Sequence, residues 1–127
     1  MRILLDTTAL YAAAGIAGAA FTPEVRRLLE QPETVRMVSP VSVNEIAIKA
    51  NKGLTSLTRE HIEQLILDLD LTVLPFTAGH SFKLFGLPPH HGDPFDRMLI
   101  ATALAEDVAI VAGDREFQKY EGLRVIW

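Results

Sequence analysis

The sequence predicts an α/β fold: three layers, α/β/α, around a mainly parallel sheet of about five short strands. Three observations predict it. First, the apolar runs at Ile3–Leu5, Val35–Val38, Leu71–Leu74, Val108–Ala112 and Arg124–Ile126 are short, mostly unbroken and partly β-branched, as in strands buried on both faces. Second, helical segments lie between most of them, and βα alternation implies parallel strands covered on both sides. Third, the 127 residues suit one domain, and a hydrophobic fraction of 49% supplies its core.

The helices follow from their start signals. Thr22-Pro23 pairs an N-cap with a first-turn proline ahead of "PEVRRLLEQ". Ser42 reads as the cap of "VNEIAIKA", with Gly53 just past the end, and Ser42-x-x-Glu45 fits a capping box. Thr58 caps "REHIEQLILDL". A shorter helix is expected over Ala78–Phe85. Asp93-Pro94 opens "FDRMLIATALAE", which has so little polar face that it must be buried on most sides. A further turn follows Asp114. The alanine-rich "LYAAAGIAGAAF" suits close helix packing, or one wall of an apolar groove.

Composition narrows the function. Without cysteine there are no disulfides and no thiolate metal sites. The formal net charge of −4 argues against broad, salt-driven nucleic-acid binding. It leaves open a nucleic-acid enzyme whose acids are offset by a metal. The N-terminal apolar run is cut by Asp6, so no signal or membrane segment is expected, and the reading is cytoplasmic.

Topology then sorts the acids. In an open parallel sheet, ligands bind beyond the carboxyl ends of the strands, where the connecting helices begin. Asp6 follows the first strand and Asp114 the fourth. Glu45 is expected in the first turn after the second strand, and Asp96 in the first turn of the helix before the fourth. All four fall at one edge, whereas Glu24, Glu60 and Glu63 fall on solvent-facing positions. Each alone reads first as a cap, turn former or helix ion pair, Glu45 with Lys49 among them. Together they repel, and a hard divalent cation would relieve that. Asp96 also lines up with Leu99, Ile100 and Ala103 along the apolar stripe. Oxygen donors alone favour Mg²⁺ or Mn²⁺, and such ions serve phosphodiester cleavage. Asp93 is read as the N-cap beside them. His91 is not required as a ligand and is open to contacting phosphate or orienting the Pro94 turn. Arg97, Lys49 and Thr7 are further candidates to contact substrate or orient acids. Arg97 could equally pair with Asp93.

The stretches "LLDTTAL", "SVNEIAIKANKGL", "LPPHHGDPFDRMLIATAL" and "GDREFQKYEGLRVI" resemble those of PIN-domain ribonucleases, most closely the VapC-type toxins of toxin–antitoxin pairs. The resemblance covers nearly the whole chain, and its third stretch is the specific one. It implies a single PIN-like domain over residues 1–127, with Asp6, Glu45, Asp96 and Asp114 as the catalytic, metal-holding quartet. It also implies an endoribonuclease using metal-activated water, a homodimer, and a VapB-like antitoxin covering the site. Three positions depart from the family's habit. Ala112 stands where Thr or Ser is frequent, Asn44 where an aromatic is frequent, and Thr8 where His is common. None of the three removes a carboxylate.

Three rival readings compete with this one. A haloacid-dehalogenase-like phospho-aspartate phosphatase would use Asp6 as nucleophile, but Thr8 occupies the place of its second acid. A response-regulator receiver needs an acid pair after the first strand, and "LLDTTAL" has one. A non-catalytic PIN-like module binding RNA or a partner would have little use for a complete quartet.

Overall fold

The computed structural model describes residues 1–16 and 18–127. Residue 17, inside the alanine-rich stretch, lies outside the described residues. Five strands form the sheet: β1 (Arg2–Leu5), β2 (Val35–Val38), β3 (Thr72–Val73), β4 (Ala109–Val111) and β5 (Val125–Ile126). Their order is β3-β2-β1-β4-β5, and each neighbouring pair is parallel. The expected "mainly parallel" sheet is thus parallel throughout. β1 sits at the centre, with Leu4 opposite Met37 on one side and Ile110 on the other.

Alternation along the strands builds two cores. Ile3, Leu5, Val38, Ala109 and Val111 face one layer, with Leu10, Val25, Ile46 and Ile62 packed on them. Leu4, Met37, Ile110 and Ala112 face the other, against Val41, Leu99, Ile100 and Phe117. Both faces of the sheet are therefore buried at its central strands β1 and β4, which explains why these read as continuous apolar runs instead of alternating ones.

Among the described residues six α-helices flank the sheet: α1 (Thr7–Ala13), α2 (Pro23–Glu30), α3 (Pro40–Asn51), α4 (Arg59–Asp68), α5 (Ala78–Lys83) and α6 (Pro94–Glu106). α5 runs on into a 3₁₀ turn at Leu84–Gly86, and another 3₁₀ segment follows β4 at Arg115–Lys119. Thr22, Thr58 and Asp93 are N-caps as expected, accepting from Val25, His61 and Asp96. Five consecutive residues of α6, Leu99–Ala103, are buried, as its lack of a polar face requires. Gly53, just past α3, takes a positive φ of 70°. That conformation is open to glycine at no steric cost and ends the helix.

One expectation is corrected, and one helix is found that the start signals did not mark. α3 begins three residues earlier than Ser42: Ser39 is its N-cap, accepting from the Val41 N–H at 3.1 Å, and Pro40 takes the first position. Ser39-Pro40 carries the same signal as Thr22-Pro23, and it outweighs the Ser42-x-x-Glu45 spacing. The capping box at Ser42 therefore does not form, and Glu45 falls in the second turn. The unmarked helix, α1, starts directly after β1. Asp6 is its N-cap, with Oδ1 accepting from Ala9 N–H at 2.7 Å. The alanine-rich stretch supplies that helix and packing against the core through Tyr11, Ala14, Ile16 and Phe21.

Candidate metal centre

The carboxyl ends of β1, β2 and β4 open onto one edge, and the starts of α1, α3 and α6 meet there. Asp6 and Glu45 are almost fully buried, at 2% and 5% exposure. The side chains of Asp96 and Asp114 are more open, at 20% and 45%. The four are close enough to feel each other's charge. Burial pushes the Asp6 carboxyl up from 3.8 to about 7, and Asp96, Glu45 and Asp114 add to the rise; only the Ala9 N–H hydrogen bond opposes it. Burial likewise pushes Asp96 up to about 6, helped by Asp93, Glu45 and Asp114 and opposed by His91. The structure thus brings together the quartet that topology picked out.

Glu45 reaches this edge from the second turn of α3 because both its oxygens are held. Thr7 Oγ1 donates to Oε1 at 2.8 Å, and Lys49 Nζ donates to Oε2 at 2.7 Å. That hydrogen bond raises the Lys49 pKa and keeps the ammonium charged. Ser42 Oγ lies 3.1 Å from Thr7 Oγ1, whose one proton goes to Glu45, so the hydroxyl read as a cap instead joins α3 to α1. Both Thr7 and Lys49 therefore orient an acid, one of the two roles expected of them. Replacing Thr7 with Val leaves Glu45 Oε1 without its donor in a buried setting. Thr7→Val is expected to cost about 1–3 kcal/mol, read from the urea midpoint of metal-free protein.

Arg97 is committed elsewhere. It does not pair with Asp93; its guanidinium donates to Leu87 O at 3.1 Å, Pro88 O at 2.8 Å and Tyr120 Oη at 3.3 Å. These bonds brace the loop entering α6. Asp93 uses Oδ1 to cap that helix, at 3.0 Å from Asp96 N. Asp114 uses Oδ1 to accept from Glu116 N–H at 2.9 Å.

His91 stands at the open side of the site. Its Nε2 lies 3.0 Å from Asp114 Oδ2 and 3.0 Å from Asp96 Oδ2. His91, Asp96 and Asp114 form the tightest group of potential ligands among the described residues, with donor atoms within 4.8 Å of one another; Asp6 and Glu45 lie outside it. The ring also accepts the Asp93 N–H through Nδ1 at 3.0 Å. That bond ties the ring to the turn before Pro94. The findable signal was His91-Gly-Asp93: a ring nitrogen can take the N–H two residues on and so fix a loop histidine.

The donor set suits a hard divalent cation. It is made of carboxylate oxygens from four elements, and two of the carboxyls are forced upward in pKa by burial and by their acidic neighbours. Lys49 is the one lysine or arginine bonded to the quartet among the described residues. A bound divalent cation would relieve their mutual repulsion.

A sequence profile of the PIN domain matches residues 3–123. No curated protein sequence matches. Solved structures do. The chain superposes on VapBC2 from Rickettsia felis, crystallised with a promoter DNA fragment, with a TM-score of 0.72 at 18% identity, covering 100% of this chain and 99% of that one. Against DNA-bound VapBC from Salmonella typhimurium the TM-score is 0.71 at 16% identity, covering 99% and 97%. Against FitAcB from Neisseria gonorrhoeae it is 0.67 at 19% identity, covering 98% and 96%.

Proposed function

Because the chain belongs to the PIN domain family, we propose that it is a metal-dependent endoribonuclease, the toxin of a VapBC-like toxin–antitoxin pair. The observation that carries this reading is the convergence of Asp6, Glu45, Asp96 and Asp114 on one sheet edge, where burial and mutual repulsion raise the pKa of two of them. The likeness in fold to chains of VapBC and FitAcB complexes supports the toxin role.

Asp6, Glu45, Asp96 and Asp114 would hold one or two Mg²⁺ or Mn²⁺ ions. Bound there, a divalent ion supplies an activated water and charge for the phosphate oxygens in the transition state. The chain's own residues do the rest. Asp6 and Glu45 form the buried floor and are fixed before substrate arrives, by the Ala9 N–H and by Thr7 and Lys49. Asp96 and Asp114 form the open side, where an RNA phosphate has access. Asp93 holds the first turn of α6, so that Asp96 is presented at a set depth over the apolar stripe.

An open hollow lined by Thr8, Tyr11, Ile16, Leu54 and Lys49 adjoins the site through Lys49. It would seat an apolar stretch of a VapB-like antitoxin, whose basic side chain would then reach the carboxylates in place of metal charge. The active form is read as a homodimer. Among the described residues no helix is long and apolar enough to cross a membrane.

Incubation of the purified protein with total RNA tests the reading. Cleavage is expected with Mn²⁺ or Mg²⁺, with none after chelation. RNA left intact under every metal condition, by folded protein free of antitoxin, would return the chain to a non-catalytic PIN-like binding role.

A further inference from the structure

We infer that His91 is a positioning residue of this site, a hydrogen-bond donor that holds Asp114 against Asp96, and is not a ligand of the cation. The inference rests on the carboxylates being a divalent-cation site, as proposed above.

By distance alone, His91, Asp96 and Asp114 look like a ligand triad. The other ring nitrogen excludes this for His91. Nδ1 accepts the Asp93 N–H at 3.0 Å, so its lone pair is in use. A neutral imidazole has one proton, and that proton is therefore on Nε2. Nε2 then directs its N–H at Asp114 Oδ2, 3.0 Å away, with Asp96 Oδ2 also at 3.0 Å, where a cation would need a lone pair. Ligation through Nε2 would require moving the proton to Nδ1, where it would meet the Asp93 N–H head-on.

The ring cannot readily turn to escape this. The His91 backbone N–H donates to Tyr120 Oη at 2.9 Å, and the ring stands edge-on to Phe117 with centroids 5.6 Å apart at 90°. Phe117 is fully buried. Tyr120 Oη is itself bonded by Arg97, which is anchored on the Leu87 and Pro88 carbonyls. A chain of contacts from Arg97 through Tyr120 to His91 thus ends on the open side of the site.

Asp114 is the carboxylate that needs holding. It is the most exposed of the four and comes from the segment after β4, and its Oδ1 is spent on Glu116 N–H. Among the described residues, His91 is the one partner of its Oδ2. Ala112, two residues before Asp114, carries no hydroxyl that could share the task. Donors behind metal-binding carboxylates fix their orientation, and losing one typically weakens metal binding about 10- to 100-fold.

The test titrates Mn²⁺ calorimetrically into the wild type, His91→Ala and His91→Gln, each checked for an intact thermal transition. Pulsed EPR of Mn²⁺ bound to the wild type reads the ligand set. The expected result is at least about tenfold weaker binding for His91→Ala. His91→Gln, whose amide N–H can still donate, should recover part of that loss. The EPR should show no directly bound imidazole nitrogen. A directly bound nitrogen would overturn the inference, as would His91→Ala binding as tightly as wild type, or Gln proving no better than Ala. A wild type that binds no Mn²⁺ at all would instead remove the cation-site reading, and this inference with it.

Discussion

Asp96→Asn is expected to abolish RNA cleavage, while Asp93→Asn, three residues away in the same helix start, leaves it nearly intact. The two acids differ in what their oxygens do. Asp93 accepts the Asp96 N–H as N-cap, a task that Asn performs about as well. Asp93→Asn should therefore change stability little, whereas Asp93→Ala should cost on the order of 1 kcal/mol. Asp96 is the carboxyl pushed up to about 6 by burial and by its acidic neighbours. Its amide variant keeps the shape but removes charge that a divalent ion needs. Metal ions contribute several kcal/mol of transition-state stabilisation, and each 1.36 kcal/mol is tenfold in rate, so a fall of about 100-fold or more is expected. The same variant relieves repulsion, so the metal-free protein should melt higher than wild type. Cleavage rates with Mn²⁺ and melting curves without it check both halves. Inverted results, with Asp93→Asn dead and Asp96→Asn active, would reverse the assignment of the two acids.

The second large effect is on stability. Asp6 in the fold titrates near 7 and Asp96 near 6, against an ordinary 3.8. A raised carboxyl pKa means that the folded state keeps protons which the unfolded chain has already lost. The stability of metal-free protein should therefore fall as pH rises from about 4 to about 7, and level off above that. Asp6→Asn should flatten this slope, which separates it from the titration of the histidines. A divalent ion binding the folded state alone should reverse the loss at pH 7.5. At 100 times its Kd it would add about 2.7 kcal/mol, on the order of 10 °C in Tm for a domain of this size. A melting temperature that rises from pH 5 to 7.5 without metal, with no lift from Mn²⁺ beyond matched NaCl, would contradict the charge balance argued for this edge.

Much of the site was legible in the sequence because it depends on topology. Strand ends and helix starts are marked by short apolar runs and by caps such as Asp93-Pro94, and a parallel sheet puts them all at one edge. Asp6, Asp96 and Asp114 needed no more than that. Glu45 reached the right edge for a partly wrong reason. It was placed in the first turn through Ser42, but α3 starts at Pro40, and a long side chain held by Thr7 and Lys49 spans the extra turn. α1 was hidden because Asp6 serves two purposes, closing the strand and capping the helix. Arg97 and His91 were illegible in another sense. Their roles depend on which carbonyl, hydroxyl or N–H a loop brings within 3 Å or so, and that is set by tertiary packing around Tyr120 and Phe117.

The cut ends of the RNA test the central claim most directly. Attack by water activated at this carboxylate edge joins a solvent oxygen to the phosphorus and leaves linear phosphate ends. Attack by the RNA's own 2′-hydroxyl, which needs no metal-held water, leaves a 2′,3′-cyclic phosphate. Sequencing and phosphatase treatment of the products of a Mn²⁺ reaction are expected to show linear phosphate and free hydroxyl ends, with no products in the chelated control or with Asp96→Asn. Cyclic phosphate ends, or cleavage that persists in chelator and in Asp96→Asn, would contradict the role given to Asp6, Glu45, Asp96 and Asp114.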